Sequence, residues 1–149
     1  MPPQIKDILV DNTVAKNFCN PLDSHYKAFI EWLFNEGTLV VTQRLLSEYF
    51  ASCGAATSST SIPVIVNRLL LQGRLRKFVK DELVSFRFPK RTEKRLRCNR
   101  NDRDNLKAVL LSARKYAVSH DDNFRYDVNN FPGIPARAER RPQDLPYSS

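Results

Sequence analysis

Four acidic residues of this chain adjoin short apolar runs, where a carboxylate is well placed to do chemistry. They are Asp11, Glu48, Asp104 and Asp121. Asp11 directly follows the apolar run 8–10, and Asp121 lies three positions after the run 116–118. An acid at the exit of a buried strand is not a typical solvated surface charge. Carboxylates that meet in one cleft repel one another unless a divalent cation neutralises them, so we predict that the four acids surround a metal ion.

The net charge of the chain has the opposite sign to this group of acids. With 24 Lys and Arg against 16 Asp and Glu, the formal net charge is +8. An excess of positive charge favours binding to phosphate backbones or to an acidic protein. An acidic metal site within a basic protein therefore suits the cleavage of a polyanion.

Positive charge is concentrated between residues 87 and 100, just before the third acid. This segment contains seven Lys and Arg against a single acid, Glu93. The cations are Arg87, Lys90, Arg91, Lys94, Arg95, Arg97 and Arg100. Phe86 and Phe88 stand at its start, and aromatic rings beside cations can stack on unpaired bases. We predict that the segment guides an RNA backbone, with an ordinary solvated basic loop as the alternative.

Length and composition narrow the class of protein. A chain of 149 residues with 42% hydrophobic content is expected to form one domain with a real core. No apolar stretch approaches the roughly 20 residues needed to cross a bilayer, and the N-terminus does not resemble a secretory signal. We therefore expect a cytoplasmic protein without a membrane partner. Three widely spaced cysteines without a Cys-x-x-Cys pair argue against a thiolate zinc site.

Hydrophobic periodicity predicts an alternation of strands and helices. Strands are predicted over 5–10, 38–41 and 116–119. Helices are predicted to begin at Asp23 or Ser24, at Thr42, near Pro63, and at Asn101 or Asp102. The first three of them are predicted to end at Gly37, Gly54 and Gly73. Residues 75–100 fit either helix or strand. The order predicts an α/β domain with a mainly parallel sheet, whose sites gather at the carboxyl ends of the strands.

The last part of the chain has a different composition. Residues 126–149 hold four prolines and show little periodicity. We predict a domain over residues 1–125, followed by a Pro-rich tail over 126–149 that is irregular or partly disordered.

Four short segments together carry a resemblance to a known family. They are 8–13, 45–49, 102–106 and 117–124. In this order, and on these elements, they resemble the PIN domain, a compact metal-dependent nuclease fold, over about residues 5 to 125. The resemblance implies a three-layer α/β/α sandwich with a mainly parallel central sheet. It also implies a metal-dependent endoribonuclease that hydrolyses RNA phosphodiester bonds.

The resemblance also implies roles for the acids. The first acid of the family corresponds to Asp11, and its helical glutamate corresponds to Glu48. The third acid corresponds to Asp104, with Asp102 as the alternative. Because Asp104 also stands near the start of a predicted helix, a favourable interaction with the helix dipole is the non-catalytic explanation of its position.

The last motif of the family places a hydroxyl two residues before the acid. That frame puts the hydroxyl at Ser119 and the acid at Asp121, with Asp122 as the alternative. Here Ser119 replaces the usual Thr, and Asn123 replaces a common acid. His120 is assigned no role, because alternation along a strand directs its side chain away from that of Asp121.

The chemistry expected of such a site is phosphodiester hydrolysis assisted by Mg²⁺ or Mn²⁺. These hard cations prefer oxygen ligands, which Asp and Glu supply. Asp11, Glu48, Asp104 and Asp121 are the predicted catalytic metal ligands, while Thr13 and Ser119 orient ligands or substrate. A bound ion lowers the pKa of water and neutralises developing charge. The resemblance implies products with a 5′-phosphate and a 3′-hydroxyl.

Two other interpretations remain open on the sequence. One is a catalytically silent PIN-fold module that binds RNA or protein. The other is an unrelated phosphatase or phosphotransferase, although 11–13 lacks an Asp-x-Asp pair and the chain's four glycines form no phosphate loop. Small stand-alone members of the PIN family include toxins of toxin–antitoxin pairs, so the resemblance also implies a homodimer and an antitoxin-like protein partner.

Overall fold

The computed structural model describes residues 4–53 and 58–149, and it contains one five-stranded sheet. The strands are β1 (Asp7–Val10), β2 (Thr38–Thr42), β3 (Leu75–Phe78), β4 (Tyr116–Val118) and β5 (Arg137–Glu139). The α-helices are α1 (Asn12–Ala15), α2 (Ser24–Asn35), α3 (Gln43–Cys53), α4 (Ile62–Leu71), α5 (Lys80–Ser85), α6 (Lys90–Glu93), α7 (Arg103–Leu111) and α8 (Asp122–Asn129). Short 3₁₀ turns cover Lys16–Cys19, Arg100–Asp102 and Pro142–Asp144.

All strand pairs are parallel, in the spatial order β3-β2-β1-β4-β5. The central strand β1 pairs with β2 on one side and with β4 on the other, so that Leu9 lies between Val40 and Ala117. Its apolar residues are fully buried, as expected for a parallel sheet covered on both faces. The predicted α/β class is confirmed, and the arrangement is consistent with a three-layer α/β/α sandwich.

Side-chain caps explain two of the predicted helix starts. Asp23 accepts a hydrogen bond from the backbone N–H of His25 (2.8 Å) at the start of α2. The hydroxyl of Thr42 accepts one from the N–H of Leu45 (3.0 Å) at the start of α3. Each bond satisfies a donor that the first turn of a helix leaves without a partner. The predicted helix end at Gly54 lies outside the described residues.

Gly37 is required by close packing. A Cβ at this position would lie 2.7 Å from the ring of Trp32. That ring cannot easily move, because it stacks on Phe29 (centroids 5.7 Å apart) and contacts Tyr147 (4.9 Å). The glycine after α2 therefore lets the chain approach a rigid aromatic cluster.

We expect Gly37→Ala to destabilise the protein by about 1–3 kcal/mol, because the added methyl overpacks this cluster. Thermal or urea unfolding would measure the loss. In a Trp32→Phe background, which removes the ring atoms nearest the new methyl, the same change should cost much less. An equal cost in both backgrounds would mean that backbone conformation, not the indole ring, demands glycine.

The segment 75–100, which the sequence left undecided, contains elements of both kinds. Residues 75–78 form β3, and 83–85 belong to α5. Glu82 stabilises the turn from β3 into α5. Its carboxylate accepts a hydrogen bond from the N–H of Val79 (3.1 Å) and pairs with Arg76 on the strand (2.6 Å). This contact caps α5 immediately after β3.

The prediction of an irregular tail does not hold for the elements observed after residue 125. Helix α8 continues to Asn129, and β5 pairs with β4 at the edge of the sheet. The side-chain amide of Asn129 exchanges two hydrogen bonds with the backbone of Ala138 (2.8 and 3.0 Å). Tyr147 packs against Phe29 and Trp32. These tertiary contacts leave no periodic pattern in the sequence. No helix in the described part of the chain is long and apolar enough to span a membrane.

Candidate active site

Asp11 lies at the carboxyl end of the central strand. Its backbone N–H donates to the carbonyl of Val118 (2.9 Å), which joins the ends of β1 and β4. Its Oδ2 accepts hydrogen bonds from the hydroxyls of Ser119 (2.6 Å) and Thr13 (3.0 Å). The structure thus brings the two predicted orienting hydroxyls onto one oxygen of Asp11. Both bonds hold the carboxylate in one direction.

The same two hydroxyls also fix the turn that follows β4. Ser119 accepts a hydrogen bond from the N–H of Asp121, and Thr13 accepts one from the N–H of His120, both at 3.0 Å. Asp121 then caps α8, because its Oδ1 accepts from the N–H groups of Asn123 (2.9 Å) and Phe124 (3.1 Å). Asp11 and Asp121 are therefore linked by Ser119, and the cap gives Asp121 a defined direction.

Glu48 joins these acids from the neighbouring helix α3. Its carboxylate is half-buried, and Oε1 is a buried atom without a hydrogen-bond donor among the described residues. Arg44 Nε lies 3.5 Å from that oxygen. The pKa of Glu48 is raised, first by burial and then by the negative charge of Asp11, while Arg44 partly offsets the effect. Burial and the charge of Asp11 thus outweigh the ion pair between Glu48 and Arg44.

Asp102 is the fourth acid of the group. Its pKa is raised by burial and then by the charges of Asp11 and Asp121, which places it in the field of both. Asp104, in contrast, is exposed and lines a separate surface groove with Gln43 and Lys77. Asp102 ends the 3₁₀ turn before α7 and is partly buried, whereas Asp104 lies in the first turn of α7 and is exposed. The geometry therefore favours Asp102 over Asp104 as the third acid.

Asp122, the alternative for the last acid, points away from the group. Its side chain is 82% exposed and forms an ion pair with Arg125 one turn along α8. Asp121, held by Ser119 and by its cap, is the residue of this pair that lies in the field of Asp102. We refer below to Asp11, Glu48, Asp102 and Asp121 as the carboxylate cluster.

Two residues that the sequence analysis did not assign to the site hold its helices in place. The hydroxyl of Tyr49 is fully buried and donates to the carbonyl of Val10, which attaches α3 to the end of β1. Burial, followed by the charges of Asp11 and Glu48, raises the pKa of Tyr49 well above its usual value. The buried amide of Asn105 accepts from the hydroxyl of Thr42 (2.6 Å), which attaches α7 to β2. Periodicity identified Tyr49 only as an apolar position.

The oxygen-rich composition of the cluster suits a hard cation. Two buried oxygens, Glu48 Oε1 and Asn12 Oδ1, have no hydrogen-bond partner among the described residues. Within that same part of the chain, no three His, Cys, Asp or Glu side chains converge as a ready-made metal cage. Mg²⁺ does not require one, because it keeps several waters and binds through one or two carboxylates together with substrate phosphates. The donor set therefore fits Mg²⁺ or Mn²⁺ in chemistry.

The raised pKa of Glu48 leads to a test of stability. Because the folded state binds a proton at this carboxyl more readily than the unfolded state, its ionised form destabilises the fold once the pH exceeds the ordinary value of 4.5. We expect Glu48→Gln to raise Tm at pH 7.5 in EDTA, with a smaller gain at pH 4.5. Partial solvent exposure keeps the effect modest. Glu31→Gln, at an exposed position on α2, is the control. A lower Tm for Glu48→Gln at pH 7.5 would contradict the expectation.

A group of cations outside the predicted basic segment lies around His120, the residue before Asp121. The pKa of His120 is lowered, first by burial and then by Arg140, Arg125, Lys16 and Arg141. Its Nε2 lies 3.1 Å from the hydroxyl of Tyr26. Arg140 and Arg141 follow β5, whose position next to β4 brings them to the site. The sequence analysis assigned the tail no such place.

The cations of the segment 87–100 lie on the surface, but its two aromatic residues do not. Phe86 and Phe88 are half-buried and pack against each other (5.7 Å) and against Phe131 (6.2 and 5.7 Å). They form part of the core, so the structure does not support the expectation that they stack on bases. The role of the cations in RNA binding stays a prediction.

Comparison with known proteins gives no information on the function of this chain. No family model, curated protein or solved structure shows significant similarity to the chain. The functional proposal below therefore depends on the contacts, burial and charges of the site, together with the motifs in the sequence.

Proposed function

We propose that this protein is a metal-dependent endoribonuclease with a PIN-like active site. The observation that carries the proposal is Asp11, which Ser119 and Thr13 hold at the carboxyl end of the central strand, within the electrostatic reach of two partly buried acids. These acids are Glu48 and Asp102, whose pKa values are raised by burial and then by the charge of Asp11, in a chain whose net charge is +8. A chain that needs only a stable fold has no reason to assemble carboxylates that repel one another.

The acids and their neighbours have separable roles in this proposal. Asp11, Glu48, Asp102 and Asp121 would hold Mg²⁺ or Mn²⁺, which lowers the pKa of water and neutralises charge on the phosphate. Ser119 and Thr13 keep the carboxylate of Asp11 in a fixed direction, so it does not have to be reoriented when substrate binds.

The cations around the site bind the substrate. Arg44 lies next to Glu48, and Lys16, Arg140 and Arg141 lie around His120. Arg44 and Arg141 are paired with Glu48 and Asp23, whereas Lys16 and Arg140 form no ion pair among the described residues and can draw a polyanion toward the carboxylates. These residues therefore keep the RNA backbone over the acids.

The silent RNA- or protein-binding module remains the second candidate. It is favoured by the lack of three converging ligand side chains among residues 4–53 and 58–149. The two candidates predict different results with RNA. The nuclease cuts it, whereas the silent module binds RNA or protein without cutting.

Incubation of an end-labelled, mixed-sequence single-stranded RNA with Mn²⁺, with Mg²⁺ and with EDTA tests the proposal. We expect cleavage with either ion and none in EDTA, with products that carry a 5′-phosphate and a 3′-hydroxyl. A phosphomonoester such as p-nitrophenyl phosphate serves as the control substrate. Binding without cleavage in all three buffers would favour the silent module. Hydrolysis of the monoester alone would favour a phosphatase.

A further inference from the structure

A concave site lies between α6, the segment that follows it, and the C-terminal part of α8. Its volume is about 570 Å³, and its lining includes Arg91, Arg95, Arg97, Tyr126, Asn130 and Phe131. This volume falls within the usual range for pockets that hold a small ligand or a nucleotide. We call it the arginine–tyrosine pocket.

The accessible charge in the arginine–tyrosine pocket is positive. None of its three arginines forms an ion pair with any residue described in the structure. The acid in the lining, Asp127, is only 4% exposed. Its carboxylate accepts hydrogen bonds from the backbone N–H groups of Arg97 (2.9 and 3.0 Å) and Cys98 (2.8 Å). Asp127 thus holds the loop and forms no ion pair with the arginines, and three cations against one acid leave the pocket with net positive charge, which fits an anionic ligand.

The pocket also presents planar groups to the solvent. The guanidinium of Arg97 lies 3.5 Å from the ring centroid of Tyr126, and that tyrosine is 40% exposed. The buried ring of Phe131 packs against Phe86 and Phe88 and forms the floor behind this pair. Exposed aromatic rings and guanidinium planes are the surfaces on which unpaired bases stack. Positive charge combined with such a surface fits a nucleotide better than an isolated phosphate.

Two chain segments connect the arginine–tyrosine pocket to the carboxylate cluster. Asp121 caps α8, and Tyr126 lies five residues further along, a rise of about 7.5 Å. On the other side, the backbone runs from Arg97 to Asp102, and Asp127 holds its first residues. One single strand can therefore reach both sites.

We propose that the arginine–tyrosine pocket binds an unpaired nucleotide of single-stranded RNA, next to the nucleotides that cross the carboxylate cluster. The base stacks on the Tyr126–Arg97 pair, while Arg91 and Arg95 contact flanking phosphates. The choice of RNA as the polymer rests on the proposed nuclease function. The stacking surface and the positive charge of the pocket are observed independently of that function. A fully paired duplex binds poorly, because its bases are stacked on one another and do not enter the pocket.

Binding of a 5′-labelled 12-nucleotide single-stranded RNA, followed by fluorescence anisotropy in EDTA, tests this proposal without cleavage. We expect Tyr126→Ala to weaken binding about tenfold, and Tyr126→Phe, which keeps the ring, to bind nearly as the unchanged protein does. Arg91→Ala together with Arg95→Ala should reduce the slope of log K against log salt by about 1.4, because two phosphate contacts are lost. Lys27→Ala, at an exposed position on α2, controls for the loss of a single charge. A hairpin with all of its bases paired should compete at least tenfold less well.

The proposal would be overturned if the Tyr126→Ala variant bound the RNA as tightly as the unchanged protein. It would also be overturned if the double arginine variant kept the same slope of log K against log salt. The two arginines are exposed, so their replacement tests the pocket even if Tyr126→Ala disturbs folding. Thermal unfolding identifies that case. Loss of binding in these variants, with no cleavage of RNA by the unchanged protein, would keep the pocket and refute the nuclease. Cleavage that is insensitive to both changes would keep the nuclease and refute the pocket.

Discussion

Asp11→Asn should reduce metal-dependent RNA cleavage at least about a hundredfold while the fold stays intact. The change keeps the shape of the side chain and an oxygen that can accept a hydrogen bond from Ser119 or Thr13. It removes the negative charge that raises the pKa of Glu48, Tyr49 and Asp102. Activity therefore falls while stability in EDTA is unchanged or higher. Rates of cleavage with Mn²⁺, together with Tm in EDTA, measure both effects.

The matched control is Glu31→Gln, which removes one exposed acid from α2 and should leave the rate unchanged. Full activity of the Asp11→Asn variant would contradict the assignment of the site. Loss of activity together with a lower Tm would mean that Asp11 acts mainly as a structural acceptor for Ser119 and Thr13. Retained RNA binding by an inactive variant would separate binding from cleavage.

The second large effect distinguishes two acids that lie two positions apart. We expect Asp102→Asn to lower cleavage about a hundredfold or more, and Asp104→Asn to change it less than about threefold. Asp102 lies in the field of Asp11 and Asp121, whereas Asp104 is exposed in another groove. Each variant serves as the control for the other, since both remove one charge near the start of α7. Cleavage rates at saturating Mn²⁺ provide the measurement.

The opposite result would be equally informative. If Asp104→Asn abolished cleavage and Asp102→Asn did not, the correspondence between motif and structure at the start of α7 would have to shift by two residues. A loss in both variants would indicate that each acid contributes, one through the cluster and one through the groove that it shares with Gln43 and Lys77. Comparison of the two Tm values excludes a general effect on folding.

These tests also measure how much the carboxylate cluster, which the proposed function requires, lowers the stability of the fold. Glu48 and Asp102 are partly buried and repel their neighbours, and Glu48 Oε1 has no donor among the described residues. Such groups persist when the surrounding structure imposes them. Here the surrounding structure is a sheet with Tyr49 and Asn105 attached to its strand ends.

Sequence alone was sufficient for the three central strands of the sheet and for the position of two acids at strand ends. Buried parallel strands are continuous apolar runs, so β1, β2 and β4 are visible in the chain without tertiary information. The caps at Asp23 and Thr42 are local contacts between residues two or three positions apart, so they too can be identified locally. Asp11 and Asp121 follow strands, and in a parallel sheet the strand ends share one edge. Their meeting was therefore predictable.

Only the tertiary structure decided those features that depend on the direction of a side chain or on contacts between residues far apart in the sequence. The motif placed the third acid at Asp104, with Asp102 as the alternative, and only the structure shows that Asp102 is partly buried in the field of Asp11 while Asp104 is exposed. Strand β5 has one apolar residue and exists because its backbone pairs with β4 and its Ala138 bonds to Asn129. The same pairing brings Arg140 and Arg141 to His120. The stacking of Arg97 on Tyr126 likewise joins residues 29 positions apart, a contact that no local pattern encodes.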